Sequence, residues 1–220
     1  MSQRGPRIHE YAGGEFMLAY GETNGPQLLV LQPLFEEMNR CRLLIASVCR
    51  TLAHNGIGCW LPDLPGTGES PRGLETIRWQ EWQSAVQAAA AVVEGETGRH
   101  PAVAAFRGGA LLDRALAVPA WRLAPTSGRS LLSDLRRSAI ASGSDPAHPA
   151  GYTLSPDLAE ALAAADTEAS PVVRTVRLAA DDRPAEARIE GHPLWRRPEP
   201  DFDTATAEAI ARDIADWIKA

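Results

Sequence analysis

The sequence has little cysteine, no long apolar run and no excess of positive charge. Its three cysteines, Cys41, Cys49 and Cys59, lie in one stretch, and an odd number does not suggest a disulfide framework. No segment approaches the roughly 20 apolar residues that a membrane-spanning helix needs. The 22 basic residues are dispersed and are outnumbered by 28 acidic ones, which argues against a nucleic-acid-binding surface. The cysteines are therefore predicted to be buried thiols in a reducing compartment.

Length and composition predict one domain. At 220 residues, 45% of them hydrophobic, the chain can bury one sizeable core but not two. The first ten residues include Arg4, Arg7 and Glu10 without an apolar run, so neither a signal peptide nor an anchor is expected. No CxxC or HxxxH spacing supports a metal site. We predict a single cytoplasmic domain over 1–220, with no membrane span, metal or cofactor.

Short apolar segments alternate with segments of helical period. Strands are predicted over 27–32, 58–62, 102–106, 121–124, 172–179 and 186–190. Helices are predicted over 39–54, 79–94, 110–117 and 204–219. This alternation predicts an α/β fold with a doubly wound, mostly parallel sheet, whose functional residues gather at the carboxyl ends of the strands.

Residues 126–170 contain more Ser, Ala, Asp and Pro than the rest of the chain. Their helical stretches lie over 131–141 and 155–165. Long connections of this kind are often lids over a functional site. We therefore predict a short helical lid over 126–170.

The segment DLPGTGES at residues 63–70 directly follows a predicted strand. Its two glycines permit tight backbone geometry, and Asp and Ser side chains bond turn amides. A phosphate-binding loop is disfavoured because no lysine follows the GxG as a P-loop requires. The segment resembles the DxxGxGxS turn after the fourth strand of many α/β-hydrolases, which implies that fold.

A second anchor of the resemblance is AFRGG at residues 105–109. It lies where α/β-hydrolases have the nucleophile elbow, a strained strand-to-helix turn of sequence GxSxG that needs small neighbours. The small neighbours are present, but Arg107 stands where the serine would be. A guanidinium cannot attack a carbonyl, which puts the usual acyl-enzyme mechanism in doubt.

The segment PLFEEMNR at residues 33–40 and the lid segment SGR at 127–129 extend the resemblance. Together they resemble the hydrolase-like proteins that accompany bacterial exosortase protein-sorting systems, although Leu34 departs from that loop pattern. The resemblance implies an accessory role beside exopolysaccharide production and surface-protein sorting. It does not supply a substrate.

Two triad roles have candidates near the end of the chain. His192 follows the last predicted strand, where the fold places its catalytic base, and Asp181 and Asp182 follow the preceding strand, where the acid often lies. They are equally explained as polar loop residues. Without a serine, a base could still activate water or a substrate hydroxyl.

A buried Arg107 needs a carboxylate partner, and Glu36 and Glu37 are the candidates. The pair is either an internal salt bridge or part of a site for a carboxylate, phosphate or sugar acid, together with the amides near Gly108. Phe35 and Ser127 complete the predicted ligand-binding set. Ser127 and Ser70 are also candidates for a displaced nucleophile, although serines in turns are usually backbone caps.

Three functions follow from these observations. The leading prediction is a degenerate α/β-hydrolase that serves as an accessory protein or binds a small anionic or acyl ligand. The alternative is an active esterase or thioesterase that uses His192 with water or a displaced serine. The third is a partner-binding module whose lid presents the interface, which an exposed apolar patch would favour.

Overall fold

A computed structural model describes residues 5–141, 143, 151–168, 170, 172–197 and 201–220. Eight strands form one sheet in the order β1-β2-β4-β3-β5-β6-β7-β8. They are β1 (Arg7–Tyr11), β2 (Glu15–Tyr20), β3 (Gln27–Leu31), β4 (Gly58–Pro62), β5 (Ala102–Phe106), β6 (Ala120–Leu123), β7 (Val173–Leu178) and β8 (Ala187–Ile189). Strands β3 to β8 are parallel, and β1 and β2 join as an antiparallel hairpin. The predicted α/β class with a mostly parallel sheet is confirmed.

Five helices flank the sheet: α1 (Glu36–His54), α2 (Trp79–Thr97), α3 (Gly128–Ala141), α4 (Pro156–Ala164) and α5 (Thr204–Lys219). Successive side chains of a strand point to opposite faces, so each parallel strand supplies two cores. On β5, Val103 and Ala105 pack with α2, whereas Ala104 and Phe106 pack with α1 and α5. All three cysteines are free and buried, as predicted.

The bounds of α1 and α2 differ from the prediction, as do those of the lid helices α3 and α4, which were predicted over 131–141 and 155–165. Helix α1 begins at Glu36 rather than at residue 39, because Phe35 turns the chain with φ 58 and the acidic first turn suits the helix dipole. Helix α2 continues through Gly95 and ends at Thr97, since Gly98 adopts the left-handed conformation (φ 66) that closes helices.

The helix predicted over 110–117 is wrong. Two 3-10 turns, Arg107–Leu111 and Asp113–Ala115, occupy this stretch. The paired glycines at 108 and 109 disfavour an α-helix, and the side chain of Asp113 is held by Arg122 of β6. The Asp113–Arg122 contact therefore holds the chain after β5 close to β6.

The predicted lid contains α3 and α4. Helix α3 packs against α4 and against the 3-10 turn that begins at Arg107, and α4 packs against α2. The backbone amide of Trp79 donates to Asp157 of α4 at 3.3 Å, which fixes the lid to the first turn of α2. The parts of the predicted lid at 142, 144–150 and 169 lie outside the described residues.

Gly95 gives a direct test of the α2 boundary. It lies exposed inside the helix, and a β-carbon added there would have no atom within 4 Å. Gly95→Ala is expected to raise the free energy of unfolding by about 0.5–1 kcal/mol, because glycine is the more costly residue in a helix interior. Urea unfolding measures the change. The matched variant Gly98→Ala is expected to destabilise, since φ there is 66; a loss of stability in Gly95→Ala would contradict the boundary.

Candidate functional site

Arg107 follows the last residue of β5 directly and adopts φ 53, a strained value for a residue with a side chain. The glycines beside it allow the close packing of this turn. A β-carbon on Gly109 would lie 2.4 Å from the Gln32 carbonyl oxygen and 2.5 Å from that of Leu31. The turn is thus pressed against the carboxyl end of β3, and Arg107 stands at the functional edge of the sheet.

Arg107 is buried, with 5% of its surface exposed, and is held on three sides. Its Nε and Nη2 atoms donate to the two oxygens of Glu37 at 3.2 and 2.9 Å. Its Nη1 donates to the carbonyl of Ala124 at 2.8 Å, and its guanidinium carbon lies 4.7 Å from the ring centroid of Trp195. Glu37 rather than Glu36 is therefore the partner, in a bidentate pair that fixes the guanidinium plane.

The side chains of Glu36 and Phe35 both lie beside Tyr152. Glu36 lies beside Tyr152, whose pKa is raised to about 12, first by burial and then by the charge of Glu36 and a hydrogen bond with it. Phe35 is 2% exposed and packs against Trp82 and edge-on against Tyr152. The side chain of Phe35 is thus part of the core beneath the site.

The proposed triad residues are not brought together in the described part of the chain. His192 is exposed and lies near Asp203, whose pKa is lowered first by hydrogen bonds from Thr206 and in smaller part by His192. Asp181 accepts from Arg183 at 2.9 and 2.7 Å and from Arg177 at 3.2 Å. These hydrogen bonds, that from Arg183 foremost, hold the pKa of Asp181 well below its ordinary range.

Asp182 lies on the rim of a cleft, and no described hydrogen bond joins it or Asp181 to His192. Arg188 adds a further tie, since its Nη2 donates to the Arg183 carbonyl at 2.9 Å. The loop after β7 is therefore held by arginines. The catalytic roles of His192, Asp181 and Asp182 stay predictions.

Both candidate serines hold turns. The Oγ of Ser127 donates to the Oγ of Ser130 at 2.9 Å and accepts from its backbone amide at 3.2 Å, which caps the start of α3. The Oγ of Ser70 accepts from the amide of Gly66 at 2.8 Å and donates to Glu15 at 3.0 Å. These contacts are those of backbone caps.

Two adjoining clefts open beside Arg107. The first, of about 370 Å³, is named the leucine cleft because its most buried lining residues are Leu34, Leu131 and Leu135. The second, of about 400 Å³, is named the arginine cleft because Arg107, Arg137, Arg183 and Arg196 line it, with Thr126 and Ser130. The two share Asp134, Arg137, Trp195 and Arg196. Among these lining residues, sequence reasoning missed Arg40, Asp134, Arg137 and Arg196.

No protein-family model and no curated protein matches this chain. Solved structures do. The protein Est1E of Butyrivibrio proteoclasticus, solved with ferulic acid bound, superposes with a TM-score of 0.58 over 96% of this chain and 98% of its own, at 15% identity. XC6422 of Xanthomonas campestris, an α/β serine hydrolase without a lid, superposes with a TM-score of 0.54 over 98% of this chain and 92% of its own, at 14% identity. The thioesterase domain of the curacin biosynthetic pathway gives 0.54 over 98% of both chains, at 14% identity.

The chain has the α/β-hydrolase fold. At these identities the likeness shows the fold alone. None of the described helices has the length and apolar character needed to cross a membrane.

In α/β-hydrolases the oxyanion hole uses the amide after the nucleophile and an amide from the loop after β3. Here Gly108 follows β5, and Leu34 and Phe35 follow β3. A β-carbon on Gly108 would lie 3.0 Å from a methyl group of Leu131 and 3.2 Å from Cγ of Leu34. Leucine side chains from α3 and the loop therefore occupy the side of Gly108 on which a β-carbon would stand.

Proposed function

We propose that this α/β-hydrolase-fold protein does not form an acyl-enzyme and instead binds a small anionic or acyl ligand in the clefts beside Arg107. The observation that carries the proposal is the elbow guanidinium, which is locked by Glu37 and the Ala124 carbonyl. A guanidinium only donates hydrogen bonds, so this position has no nucleophile. The elbow serves instead as a rigid positive anchor for the surrounding loops.

Two sets of contacts support the loss of hydrolysis. Asp181 is engaged by Arg177 and Arg183, which leaves it ill placed to orient a histidine. Ser70 and Ser127, the candidates for a displaced nucleophile, are engaged in backbone caps. A degenerate triad is the simplest account of these contacts.

The resemblance of residues 33–40 and 127–129 to exosortase-associated proteins supports an accessory role. In that setting the protein would act in the cytoplasm, beside exopolysaccharide production and surface-protein sorting, as a carrier or sensor of a small anion rather than as a hydrolase.

Wild-type protein is expected to show no turnover of short-chain p-nitrophenyl esters and no labelling by a fluorophosphonate probe. The physical reason is the absence of a hydroxyl at the elbow and of a base in contact with one. Initial rates and gel fluorescence measure both, with heat-denatured protein as the blank and an active serine hydrolase as the positive control.

His192→Ala is the matched variant for the competing function, because His192 lies outside the buried core and its removal leaves that core intact. We expect it to behave as the wild type does. Ester turnover that disappears in His192→Ala would overturn the proposal in favour of an esterase or thioesterase that uses His192 with water or a displaced serine.

A further inference from the structure

The leucine cleft has an apolar bottom built from two elements. Leu34 comes from the loop after β3, and Leu131 and Leu135 lie one helical turn apart on α3. Each is less than 5% exposed, so each faces the cleft with a small part of its surface. Its volume of about 370 Å³ lies in the range of small-molecule sites, which are largely apolar with a few placed polar groups.

The polar groups of this cleft are concentrated at its rim. The Nη1 of Arg40 donates to the carbonyl of Trp195 at 3.1 Å, and both Arg40 and Arg196 line the cleft. Within the described chain, neither of these arginines has a carboxylate within 4 Å. The other rim charges are already engaged, since Arg137 pairs with Asp134 and Glu37 pairs with Arg107.

Two guanidinium groups that have no carboxylate partner among the described residues lie at the mouth of an apolar cleft, and together they complement one kind of molecule. A guanidinium binds a carboxylate through parallel hydrogen bonds, and two of them neutralise more than one negative charge. An alkyl chain attached to that carboxylate gains from leaving water for the leucine-lined bottom. Glu36, the remaining acid at the rim, is engaged by Tyr152 and so competes less for the arginines.

We propose that the leucine cleft binds an amphipathic carboxylate, an acyl anion whose head lies between Arg40 and Arg196 and whose chain lies on Leu34, Leu131 and Leu135. This inference rests on the proposed function and specifies its ligand class. The chain length, rather than the charge alone, sets the affinity.

Isothermal titration calorimetry of the full chain with acetate, butyrate, hexanoate and octanoate tests the proposal. We expect the affinity to rise about fourfold for each added methylene until the cleft is filled. Octan-1-ol, which has the chain without the charge, is expected to bind at least about tenfold more weakly than octanoate, the loss of a charged hydrogen-bonded contact.

Two variants locate the two halves of the site. Arg40→Gln/Arg196→Gln is expected to weaken octanoate at least about tenfold, because both head contacts are lost. Ser138→Trp places a large side chain in the leucine cleft and is expected to abolish the dependence on chain length. Arg136→Gln and Ser133→Trp are the matched controls, since both residues lie on α3 and line neither cleft.

The outcomes separate this inference from the function on which it rests. Binding of acetate that is lost in Arg40→Gln/Arg196→Gln, with no gain from chain length, overturns the amphipathic ligand and leaves a small-anion site. Absence of binding throughout the series overturns both. If the control variants weaken octanoate binding as much as Arg40→Gln/Arg196→Gln does, the ligand binds elsewhere. That result overturns the assignment to this cleft.

Discussion

Arg107→Met is expected to lower the free energy of unfolding by about 3–5 kcal/mol, the usual cost of leaving one member of a buried ion pair without its partner. The side chains of Arg107 and Glu37 are 6% and 10% exposed, so water does not replace the lost contact. The carbonyl of Ala124 loses its donor in the same variant. Urea denaturation followed by circular dichroism measures the change, with m-values to verify that the transition keeps its size.

The double variant Arg107→Met/Glu37→Met separates charge from packing. Replacing both partners with apolar side chains removes the desolvated charge, so most of the lost stability is expected to return. Arg72→Met is the matched surface control, because the Arg72–Glu81 pair has a similar distance of 2.7 Å but side chains that are 40% and 35% exposed. Arg72→Met is expected to lower the free energy of unfolding by less than about 1 kcal/mol. Equal losses in Arg72→Met and Arg107→Met would show that the elbow pair is solvated.

Arg122 belongs to a second buried ion pair. Arg122→Met is expected to lower the free energy of unfolding by a similar amount, about 3–5 kcal/mol. Arg122 bonds Asp113 at 2.6 and 3.0 Å, and both side chains are 2% exposed. It also donates to the carbonyl of Glu168 at 2.7 Å, which ties the end of the lid to β6. Chemical denaturation measures the global loss, and limited proteolysis measures the release of the chain around Glu168.

Arg114→Met provides the control for the lid tie. Arg114 also contacts Glu168, but through side chains that are 54% and 69% exposed, so its loss is expected to cost less than about 1 kcal/mol. Arg122→Met/Asp113→Leu is expected to recover stability but not protection from protease, because the Glu168 carbonyl still lacks its donor. Full recovery of both would mean that Arg122 does not hold the lid.

The strands of the sheet were the most predictable part of the fold. The bounds of β4, β5 and α5 match those expected from the sequence, because buried parallel strands are continuous apolar runs and an amphipathic helix has a clear period. The hairpin of β1 and β2 was not predicted. Its turn depends on positive φ at Ala12, Gly13 and Gly14, and only the glycines mark such a turn in a sequence.

The site was predictable in position but not in pairing. The small residues around Arg107 placed it at the turn after β5, and its need for a carboxylate pointed to Glu36 and Glu37. The choice between them depends on where α1 begins, which Phe35 sets with a backbone conformation that sequence rarely reveals. The arginines that occupy Asp181 lie within four residues of it, but outside a helix such a spacing does not predict which side chains meet.

Arg107 has a wider consequence for the motions of this protein. Its contacts join the turn after β5, the first turn of α1, the end of β6 and the segment before α5. Connections between strands normally open one at a time, with small local free energies. Here four segments meet at one buried cation, and separating the turn after β5 from α1 leaves both charges of the pair without a partner. We therefore expect the carboxyl edge of the sheet to open as one cooperative unit, in which a ligand bound at one loop steadies all four.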